Sequence, residues 1–508
     1  MIFAKYQILE IILIAVTVIY SSSLILFFLY SIVQISLLFN YLRKKTNKSN
    51  LLKWNFNKNS KIPSVTIQLP IYNELYVVER LLKSIEKIKY PNDKLEIQIL
   101  DDSDDNSSKL ISEISQKIRE TGINIIHLRR NNRNGFKAGA LREGMKTANG
   151  EFIAIFDSDF LPKPNFLLKT IPYFRNPKIG MIQTRWGFLN RNYSILTKTQ
   201  AFALDSHFTL EQVGRNEKKH FINFNGTAGV WRKKTIIDSG DWQEDTLTED
   251  LDLSYRAQLN NWEFLYLEKI ITPSELPVTI GGIRSQQFRW NKGGAENFQK
   301  NISNVFKSKN VPFITKIHAL AHLFNSTIFI NIFLFSFLSI PLLYLKNKFS
   351  NIKWFFDISA LFFVSTLAFY VCYWFVYKQK NKNGILDIIK YTINFIIFFS
   401  LSAAFSVHNS YAVIKGHMRM KTDFIRTPKY NLTNRKNKSL RQRRYFKNSL
   451  NFFTIVETAM AFYFLFGLYL AFVVSKEGDF SFFLFHLFLF LGYSYISFQS
   501  LYEKKFKF

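Results

Sequence analysis

The stretch FIAIFDSD, at residues 152–159, is an apolar run that ends in two aspartates separated by one serine. Its β-branched and aromatic residues predict a buried strand, with Asp157 and Asp159 at its end. Strands that alternate with helices predict an α/β domain with a mostly parallel sheet, whose ligands bind at the carboxyl ends of strands. That pattern covers residues 63 to about 300, with further β-rich runs at 65–69, 97–100 and 123–128 and helical stretches at 77–88 and 107–119.

Asp157 and Asp159 have the chemistry of a cation site. Carboxylates two residues apart at a strand end can share a divalent cation with a diphosphate, and oxygen ligands suit Mg²⁺ or Mn²⁺. We therefore predict that this pair binds the metal of a nucleotide-activated substrate. The alternative is a turn that caps the next helix before Pro162 and Pro164.

Two other strand ends carry polar residues that suit a nucleotide. Asp101 and Asp102 end the second β-rich run, and Tyr72 and Glu74 follow the first. Adjacent strand ends of a parallel sheet would hold the base and ribose, with Asp102 the stronger candidate of the two aspartates. The side chains at 104–106 are expected to cap the following helix instead.

Two short stretches near these motifs have less specific patterns. FKAGA, at 136–140, offers Lys137 as a cation near the diphosphate, although a solvated lysine on a helix face is the alternative. The polar turn NGTAG, at 225–229, contains Asn225 and Thr227. It is expected either to line the path of the acceptor or to reverse the chain.

Thr248-Glu249-Asp250 precedes a helical stretch at 251–260, so both acids are expected in the first turn of a helix. Thr248 as N-cap and acids at a helix N-terminus also have a structural explanation, and both roles can hold together. An attacking hydroxyl needs a base close to its proton. We assign that role to Asp250, with Glu249 beside it.

The run QQFRW, at 286–290, lies in an amphipathic segment at 283–302. Its arginine, Arg289, can meet a leaving phosphate, and Trp290 can stack on a sugar ring. The glycine pair at 293–294 predicts close backbone packing just beyond it. Four motifs occur in a fixed order along the chain, and together they predict the transfer of a sugar. They are Asp101-Asp102, Asp157-Ser158-Asp159, Thr248-Glu249-Asp250 and the run QQFRW.

Composition indicates an integral membrane protein rather than a soluble one with buried core helices. Phenylalanine occurs 54 times, and the apolar runs are each about the ~20 residues needed to cross a bilayer. The net charge of +30 does not indicate nucleic-acid binding, because residues 415–447 carry 12 Lys or Arg against Asp423 alone, a pattern that suits anionic membrane lipids. Cys372 is the single cysteine, which excludes a disulfide within the chain. The apolar runs are 11–42, 317–345, 358–377, 391–414, 458–475 and 480–502.

Basic residues follow the first apolar run without any acidic residue among them, which predicts an N-terminus outside and a cytoplasmic catalytic domain. If all five later runs cross the membrane, the basic loop would lie outside, against the same rule. We therefore expect that 384–414 lies partly at the interface or re-enters. A bacterial inner membrane is the preferred location, with an organellar or Golgi membrane as the alternative.

These motifs resemble those of the membrane-bound family 2 glycosyltransferases, in particular cellulose synthase and the cellulose-synthase-like mannan and glucomannan synthases. The likeness spans nearly the whole chain. The resemblance implies a nucleotide-binding role for Asp102, metal binding by the Asp157-Ser158-Asp159 motif, and Asp250 as general base. It also implies that Gln286 and Trp290 hold the acceptor sugar at the mouth of a transmembrane channel.

The stretch FIRTPK, at 424–429, looks like the gating loop of that family, which closes over bound nucleotide. Its residues of interest are Phe424, Arg426, Thr427 and Lys429. The fold class implied is a GT-A-type α/β cytoplasmic domain combined with an α-helical transmembrane region. The expected division is an anchor at 1–42, the GT-A domain at 63–282, an interface segment at 283–312, and a transmembrane region at 313–508 with a basic gating-like loop at 415–450.

The function expected from the residues and the resemblance is an inverting, metal-dependent and processive β-glycosyltransferase. It would use GDP-mannose or UDP-glucose, extend a glycan or lipid acceptor, and export the product. One alternative is a single transfer that makes a glycolipid or a polyprenyl-linked sugar. A non-catalytic transporter or channel is disfavoured, because the apolar runs are nearly free of the ionisable residues expected on a solute pathway.

Overall fold

The computed structural model of the 508-residue chain describes residues 2–43, 62–348, 353–379, 384–432 and 452–504. Of the predicted basic loop at 415–450, it describes 415–432. The remainder of that loop and the basic stretch at 44–61 lie outside the described residues.

Seven strands form one sheet in the order β3-β2-β1-β4-β6-β5-β7. Strand β1 pairs in parallel with β2 and β4, β2 with β3, and β5 with β7, whereas β6 runs antiparallel to both neighbours. The predicted α/β class and mostly parallel sheet are therefore confirmed. The strands are β1 Val65–Ile71, β2 Leu95–Asp101, β3 Asn124–Arg129, β4 Phe152–Ile155, β5 Ile179–Phe188, β6 Gly229–Arg232 and β7 Glu263–Ser274.

Helices cover both faces of the sheet and continue beyond it. Those of the α/β part are α2 Val78–Ile85, α3 Ser107–Glu120, α4 Phe136–Thr147, α5 Phe166–Thr170, α6 Ile195–Ser206, α7 Gln212–Glu217, α8 Lys233–Asp238 and α9 Glu249–Leu259. A π-helical turn at His207–Glu211 joins α6 to α7. The others are α1 Ile2–Leu42, α10 Ile280–Lys307, α11 Phe313–Phe324, α12 Ile328–Lys348, α13 Lys353–Lys378, α14 Ile385–Ala404, α15 Ser406–His417, α16 Phe452–Val473 and α17 Phe483–Lys504.

The sheet is buried on both faces, as expected when helices cover it. On one face, Ile67 and Ile97 pack with residues of α2 and α3. On the other face, Ile153 and Ile155 pack with Leu141 of α4 and with buried tryptophans. Successive residues of a strand point to opposite faces, and side chains are buried on both, including polar ones of β1 and β2 such as Thr66 and Glu96, which are hydrogen-bonded to each other.

The register brings the predicted strand ends to one edge. Ile71 of β1 lies beside Asp101 of β2, and Gln68 lies beside Ile155 of β4. Parallel strands end on the same side of a sheet, so the residues after β1, β2 and β4 meet there.

Five helical stretches in the described residues are long and apolar enough to cross a membrane by length and composition: Glu10–Leu42, Phe313–Lys348, Ile385–Ala404, Phe452–Val473 and Phe483–Glu503. The segment expected to lie partly at the interface divides near Phe405. Its first part, α14, is one of these five, whereas α15 packs against α10. The predicted amphipathic segment belongs to α10, which begins at Ile280, three residues before the predicted start.

Candidate active site

One cleft of about 190 Å³ opens at the carboxyl ends of β1, β2 and β4. The start of α4, the start of α9, α10 and the loop 418–432 complete its walls. Two predicted site residues, Asp101 and Thr227, are buried behind the lining instead of facing the cleft. The predicted residues that line it are Tyr72, Glu74, Asp102, Lys137, Asp157, Asp159, Asn225, Glu249, Asp250, Gln286, Arg289, Trp290, Phe424, Arg426, Thr427 and Lys429.

Each aspartate of the Asp157-Ser158-Asp159 motif is held by a lysine. Asp157 Oδ1 accepts a hydrogen bond from Lys137 Nζ at 2.7 Å, and the Asp157 N–H donates to Thr227 Oγ1 at 2.8 Å. Asp159 Oδ2 accepts from Lys429 Nζ at 2.8 Å and from the N–H of Glu275 at 3.0 Å. Thr227 therefore orients Asp157 from behind and does not line the cleft.

Asp157 and Asp159 offer the carboxylate oxygens that a divalent cation such as Mg²⁺ prefers as ligands. The lysines contact one oxygen of each carboxylate, Oδ1 of Asp157 and Oδ2 of Asp159, and both residues line the cleft. Within the described ranges, no group of three or more acidic, histidine or cysteine side chains is placed to hold a metal by itself. Mg²⁺ sites at phosphates commonly use one or two carboxylates and take the remaining oxygens from substrate and water. The two aspartates suit such a shared site.

Glu249 and Asp250 lie in the first turn of α9, as the sequence predicts, and share one half-buried cation, Lys137, with Asp157. Lys137 Nζ is 3.9 Å from Glu249 Oε1 and donates to the Gly226 carbonyl at 2.8 Å. Burial, followed by the charge of Glu249, raises the pKa of Asp250, and Lys137 offsets part of that rise. A carboxylate with a raised pKa is a better proton acceptor, which suits a general base.

The charge of Lys137 is itself stabilised by these neighbours. Burial disfavours the charged amine, but Asp157 and Glu249 outweigh burial and raise the pKa of Lys137. The lysine is therefore a fixed positive charge among three carboxylates, which rejects the solvated-lysine alternative.

Helix α10 fixes the start of α9. Thr248 occupies the N-cap position, but its Oγ1 accepts a hydrogen bond from Asn297 Nδ2 at 2.9 Å and does not cap its own helix. A Cβ on Gly293 would lie 2.5 Å from Thr248 Oγ1, so only glycine permits this approach of the two helices. The predicted close backbone packing is present here, and it places the two acids against α10.

The side of the cleft at the end of β2 is built by arginines that follow β3. Arg130 donates to both carboxylate oxygens of Asp102, from Nε at 2.9 Å and Nη2 at 2.5 Å. Arg133 lies over the ring of Tyr72, with its guanidinium carbon 3.3 Å from the ring centre. Asp102 thus lines the cleft as part of an ion pair, with a planar cation on a neighbouring aromatic ring.

Asp101 is buried and makes its hydrogen bonds within the domain, away from the cleft. Its Oδ2 lies 2.9 Å from His127 Nε2, and its Oδ1 accepts from the Ser103 N–H at 2.9 Å. Burial works to raise the pKa of Asp101, but the hydrogen bonds from His127 and Ser103 prevail and lower it. Of the predicted helix caps, Asp105 behaves as expected, because its Oδ1 accepts from the Ser107 N–H at 2.8 Å.

The loop 418–432 is bound to the cleft by aromatic and charged contacts. Phe424 stacks on Phe136, with ring centres 5.3 Å apart, and Arg426 Nη1 lies 2.9 Å from Glu74 Oε2. Burial raises the pKa of Glu74 to about 7, although Arg426 lowers it. Arg289 of α10 donates to Thr427 Oγ1 at 2.9 Å. Every predicted residue of the gating-like loop therefore touches the site, in addition to Lys429 on Asp159.

Sequence reasoning missed Arg130, Arg133 and Glu275. The run RRNNR at 129–133, directly after a strand, was a signal for the two arginines. No local pattern pointed to Glu275, which follows β7 and accepts from the N–H groups of Tyr430 and Leu432 at 3.1 and 3.2 Å. Its role in holding the loop depends on contacts between residues more than 150 positions apart.

A second cavity of about 450 Å³ begins where the cleft ends and extends among the apolar helices. Asn225, Asp250 and Trp290 line both spaces. Trp290 is 37% exposed and lines both spaces, so part of its side chain is accessible at this junction. The position of Trp290 suits contact with a sugar ring that extends from Asp250 toward the second cavity.

The fold and the cleft define a GT-A-like α/β domain with a polar site at the carboxyl ends of its strands. Residues 63–293 match the family model described as glycosyltransferase like family 2. This part of the chain is therefore a family 2 glycosyltransferase domain, which confirms the resemblance of the motifs. A mannosyltransferase from Pyrobaculum calidifontis, solved in complex with GDP-Man and Mn²⁺, has the same fold, with a TM-score of 0.50 and 16% identity over 81% of this chain and 100% of that one.

Several plant proteins are similar to about half of this chain. Glucomannan 4-beta-mannosyltransferase 1 from Cyamopsis tetragonoloba is 40% identical over 283 residues, 54% of this chain and 54% of that protein. Probable glucomannan 4-beta-mannosyltransferase 7 from Oryza sativa subsp. japonica is 43% identical over 267 residues, 52% of this chain and 46% of that protein. The matches thus cover about half the length of these relatives.

Proposed function

We propose that the protein is a membrane-associated, inverting hexosyltransferase that moves a sugar from a nucleotide sugar to a hydroxyl of a glycan and forms a β-linkage. The observation that carries this proposal is the position of Asp250. It lies beside Lys137 and the Asp157-Ser158-Asp159 motif on one side and beside Trp290 on the other, where the two cavities meet.

The residues at this junction supply a proton acceptor and a place for each partner of a displacement at the donor sugar. Asp250 takes the proton of the acceptor hydroxyl, whose oxygen attacks C1 of the donor sugar from the face opposite the phosphate. The new C1–O bond forms as the C1–phosphate bond breaks, and the nucleoside diphosphate leaves with the electron pair. An in-line displacement of this kind inverts C1, so an α-linked donor gives a β-linked product.

The charge that develops on the diphosphate is met by cations of the chain. Arg289 and Lys429 line the cleft, and Asp157 with Asp159 would hold Mg²⁺ or Mn²⁺ there. When bound, the metal supplies positive charge to the leaving diphosphate. Arg133 on Tyr72 offers a flat surface suited to a nucleobase.

GDP-mannose is the donor we favour, with UDP-glucose second. The support is the similarity to proteins named glucomannan 4-beta-mannosyltransferases, together with the GDP-Man complex of the mannosyltransferase that shares the fold. The cavity that continues from Trp290 among the apolar helices supports repeated addition and passage of the product into the membrane region. The basic flank of the first apolar run supports a cytoplasmic catalytic domain.

The test uses the full chain in lipid nanodiscs with Mg²⁺ or Mn²⁺ and GDP-mannose, UDP-glucose or UDP-N-acetylglucosamine in separate reactions. Nucleotide release and the size of the labelled product are measured. A β-linked polymer from one donor is the expected result. A lipid-soluble product of one or two sugars would replace the polymerase proposal with a single transfer to lipid.

The Asp250→Asn variant tests the assigned base in the same assay. It removes the proton acceptor but keeps the size of the side chain, so transfer should fall by at least ~10²-fold while nucleoside diphosphate binding stays unchanged. Wild-type turnover in this variant would exclude Asp250 as the base.

A further inference from the structure

Helix α10 carries Arg289 and Trp290, and its first turns pack against the apolar helices α16 and α17. Ile280 and Ile283 of α10 are each 1% exposed and belong to one apolar cluster with buried residues of both helices. Three charged side chains are buried in the same region, although ionisable groups among membrane-spanning helices are costly and usually have a functional role. They are Arg284 of α10, Glu457 of α16 and Glu503 of α17.

Arg284 and Glu457 form an ion pair between α10 and α16. Arg284 Nη2 donates to Glu457 Oε2 and, at 3.3 Å, to Ser500 Oγ of α17. Its Nη1 donates to Thr454 Oγ1 of α16 at 3.4 Å. The side chains of Arg284 and Glu457 are 8% and 0% exposed. One buried guanidinium on α10 therefore contacts both α16 and α17.

Glu503 holds the first residue of α10. Its two carboxylate oxygens accept from the Ile280 N–H at 3.0 and 3.2 Å. The first N–H groups of a helix have no partner inside the helix, and a negative charge is favourable beside them. Thr279 Oγ1 accepts from the Gly282 N–H at 3.1 Å. Two side chains thus bind the start of α10, and one of them comes from α17.

The ion pair is poorly placed to add stability. Glu457 Oε1 and Arg284 Nε have no hydrogen-bond partner among the described residues, so part of each charge is buried without compensation. The desolvation of a buried pair often exceeds the gain from its attraction, and apolar residues of similar volume are often as stable. Such a pair does fix the register of two helices, because only one arrangement brings the charges together.

The register of α10 determines the geometry of the site, because α10 is one continuous helix of 28 residues. Trp290 lies six residues beyond Arg284, about 9 Å along the helix axis, and Arg289 directly precedes it. Further along, Gly293 packs against Thr248, which precedes the two acids of α9. A shift of α10 on α16 would therefore move the arginine and the tryptophan relative to those acids.

We propose that three buried charged residues are positioning residues for the transfer reaction: Arg284, Glu457 and Glu503. They dock α10 onto α16 and α17 and thereby place Arg289 and Trp290 relative to the general base. This rests on the proposed glycosyltransferase function and extends it from the cleft to these two apolar helices. The residues of the described chain that line the cleft and the second cavity do not include the three, so they act through α10.

The first experiment replaces both charges of the ion pair by apolar side chains, Arg284→Met together with Glu457→Leu, in the full chain in lipid nanodiscs. A single change would leave one charge buried and unpaired, which is strongly destabilising, whereas the double change removes that cost. The matched control is Lys346→Met together with Asp479→Asn. It removes an ion pair of 2.9 Å between α12 and the connection from α16 to α17, without a residue of α10.

The measurements are kcat and KM for a short β-linked oligosaccharide acceptor, Tm, and the number of nucleotide-binding sites from titration with GDP. We expect kcat/KM per binding site to fall by at least about tenfold in the double variant, because a displacement of about 1 Å can cost ~10²-fold. The Tm should fall by no more than about 3 °C, and the control should match wild type.

A purely structural role would give the opposite pattern. It would lower Tm and the number of binding sites and leave kcat/KM per site unchanged, which would overturn the proposal. A folded double variant with the kcat/KM of wild type would also overturn it.

Glu503 gives a second test that leaves the ion pair intact. Glu503→Gln keeps an oxygen that accepts from the Ile280 N–H, and Glu503→Leu removes it at similar size. We expect kcat/KM within about threefold of wild type for glutamine and at least about tenfold lower for leucine. Equal values in the two variants would overturn the proposal. Absence of any sugar transfer by wild type would instead contradict the proposed function, so the two failures are distinguishable.

Discussion

Replacing Lys137 with glutamine should move the acid limb of the pH–rate profile to higher pH. The lysine holds down the pKa of Asp250, which burial and Glu249 have raised, so loss of its charge must raise that pKa further. A Cβ on Gly226 would lie 3.1 Å from Asp250 Oδ2 and 3.3 Å from Lys137 Nζ, which puts the two charges about 6 Å apart or less. At that distance, an effective dielectric constant of ~20 to ~80 gives about 0.7 to 2.8 kcal/mol. This corresponds to about 0.5 to 2 pH units.

The assay is nucleotide release from the preferred donor at saturating acceptor between pH 5 and 9. A general base works deprotonated, so activity falls as the pH drops through its pKa, and the variant should lose activity at a higher pH than wild type. Glutamine can still donate to the Gly226 carbonyl. Lys137→Arg should keep the wild-type limb, as should Lys146→Gln, an exposed position on the same helix α4. An unchanged or lower acid limb in Lys137→Gln would refute this account of the site.

Three further outcomes test other parts of the molecule. Gly293→Ala should destabilise the protein by about 1 to 3 kcal/mol and lower turnover, because the new Cβ would meet Thr248. Gly281→Ala on the same helix places its Cβ in open space, so its thermal unfolding should be nearly unchanged. Trp290→Ala should raise the acceptor KM more than the Kd of the nucleotide, and equal effects on both would contradict its acceptor role. Chelation with EDTA should reduce transfer by at least ~10²-fold. The Tm should change little, because Lys137 and Lys429 already neutralise Asp157 and Asp159. Full activity in EDTA would remove the metal from the proposal.

Much of the catalytic domain could be predicted from the sequence because its signals are local. Alternating strands and helices predicted the sheet, and β2 and β4 end within two residues of the predicted positions. The motifs around Asp157 and Asp250 lie in the cleft because each follows a strand or begins a helix at the same edge. The position of Thr227 was less predictable, since a polar turn shows no sign of which side chains face inward.

The partners of the site residues could not be predicted, because they come from distant parts of the chain. Arg130 on Asp102 and Lys429 on Asp159 are separated from their partners by 28 and 270 positions. The segment 384–414, expected to lie partly at the interface, illustrates the same limit: the charge rule for membrane loops selected it but did not predict the break near Phe405 that separates α14 from α15. Contact with α10 distinguishes the two parts.

The sequence alone determined the α/β class, the apolar helices and the main acidic motifs, since hydrophobic periodicity and residue chemistry act over a few neighbouring positions. Only the tertiary structure decided which carboxylate shares the charge of Lys137 and that Asp101 is structural. It also decided that Arg284 and Glu457, 173 positions apart, meet as a buried ion pair. Burial and charge interactions depend on distance in space, and folding brings together groups that the order of residues keeps far apart.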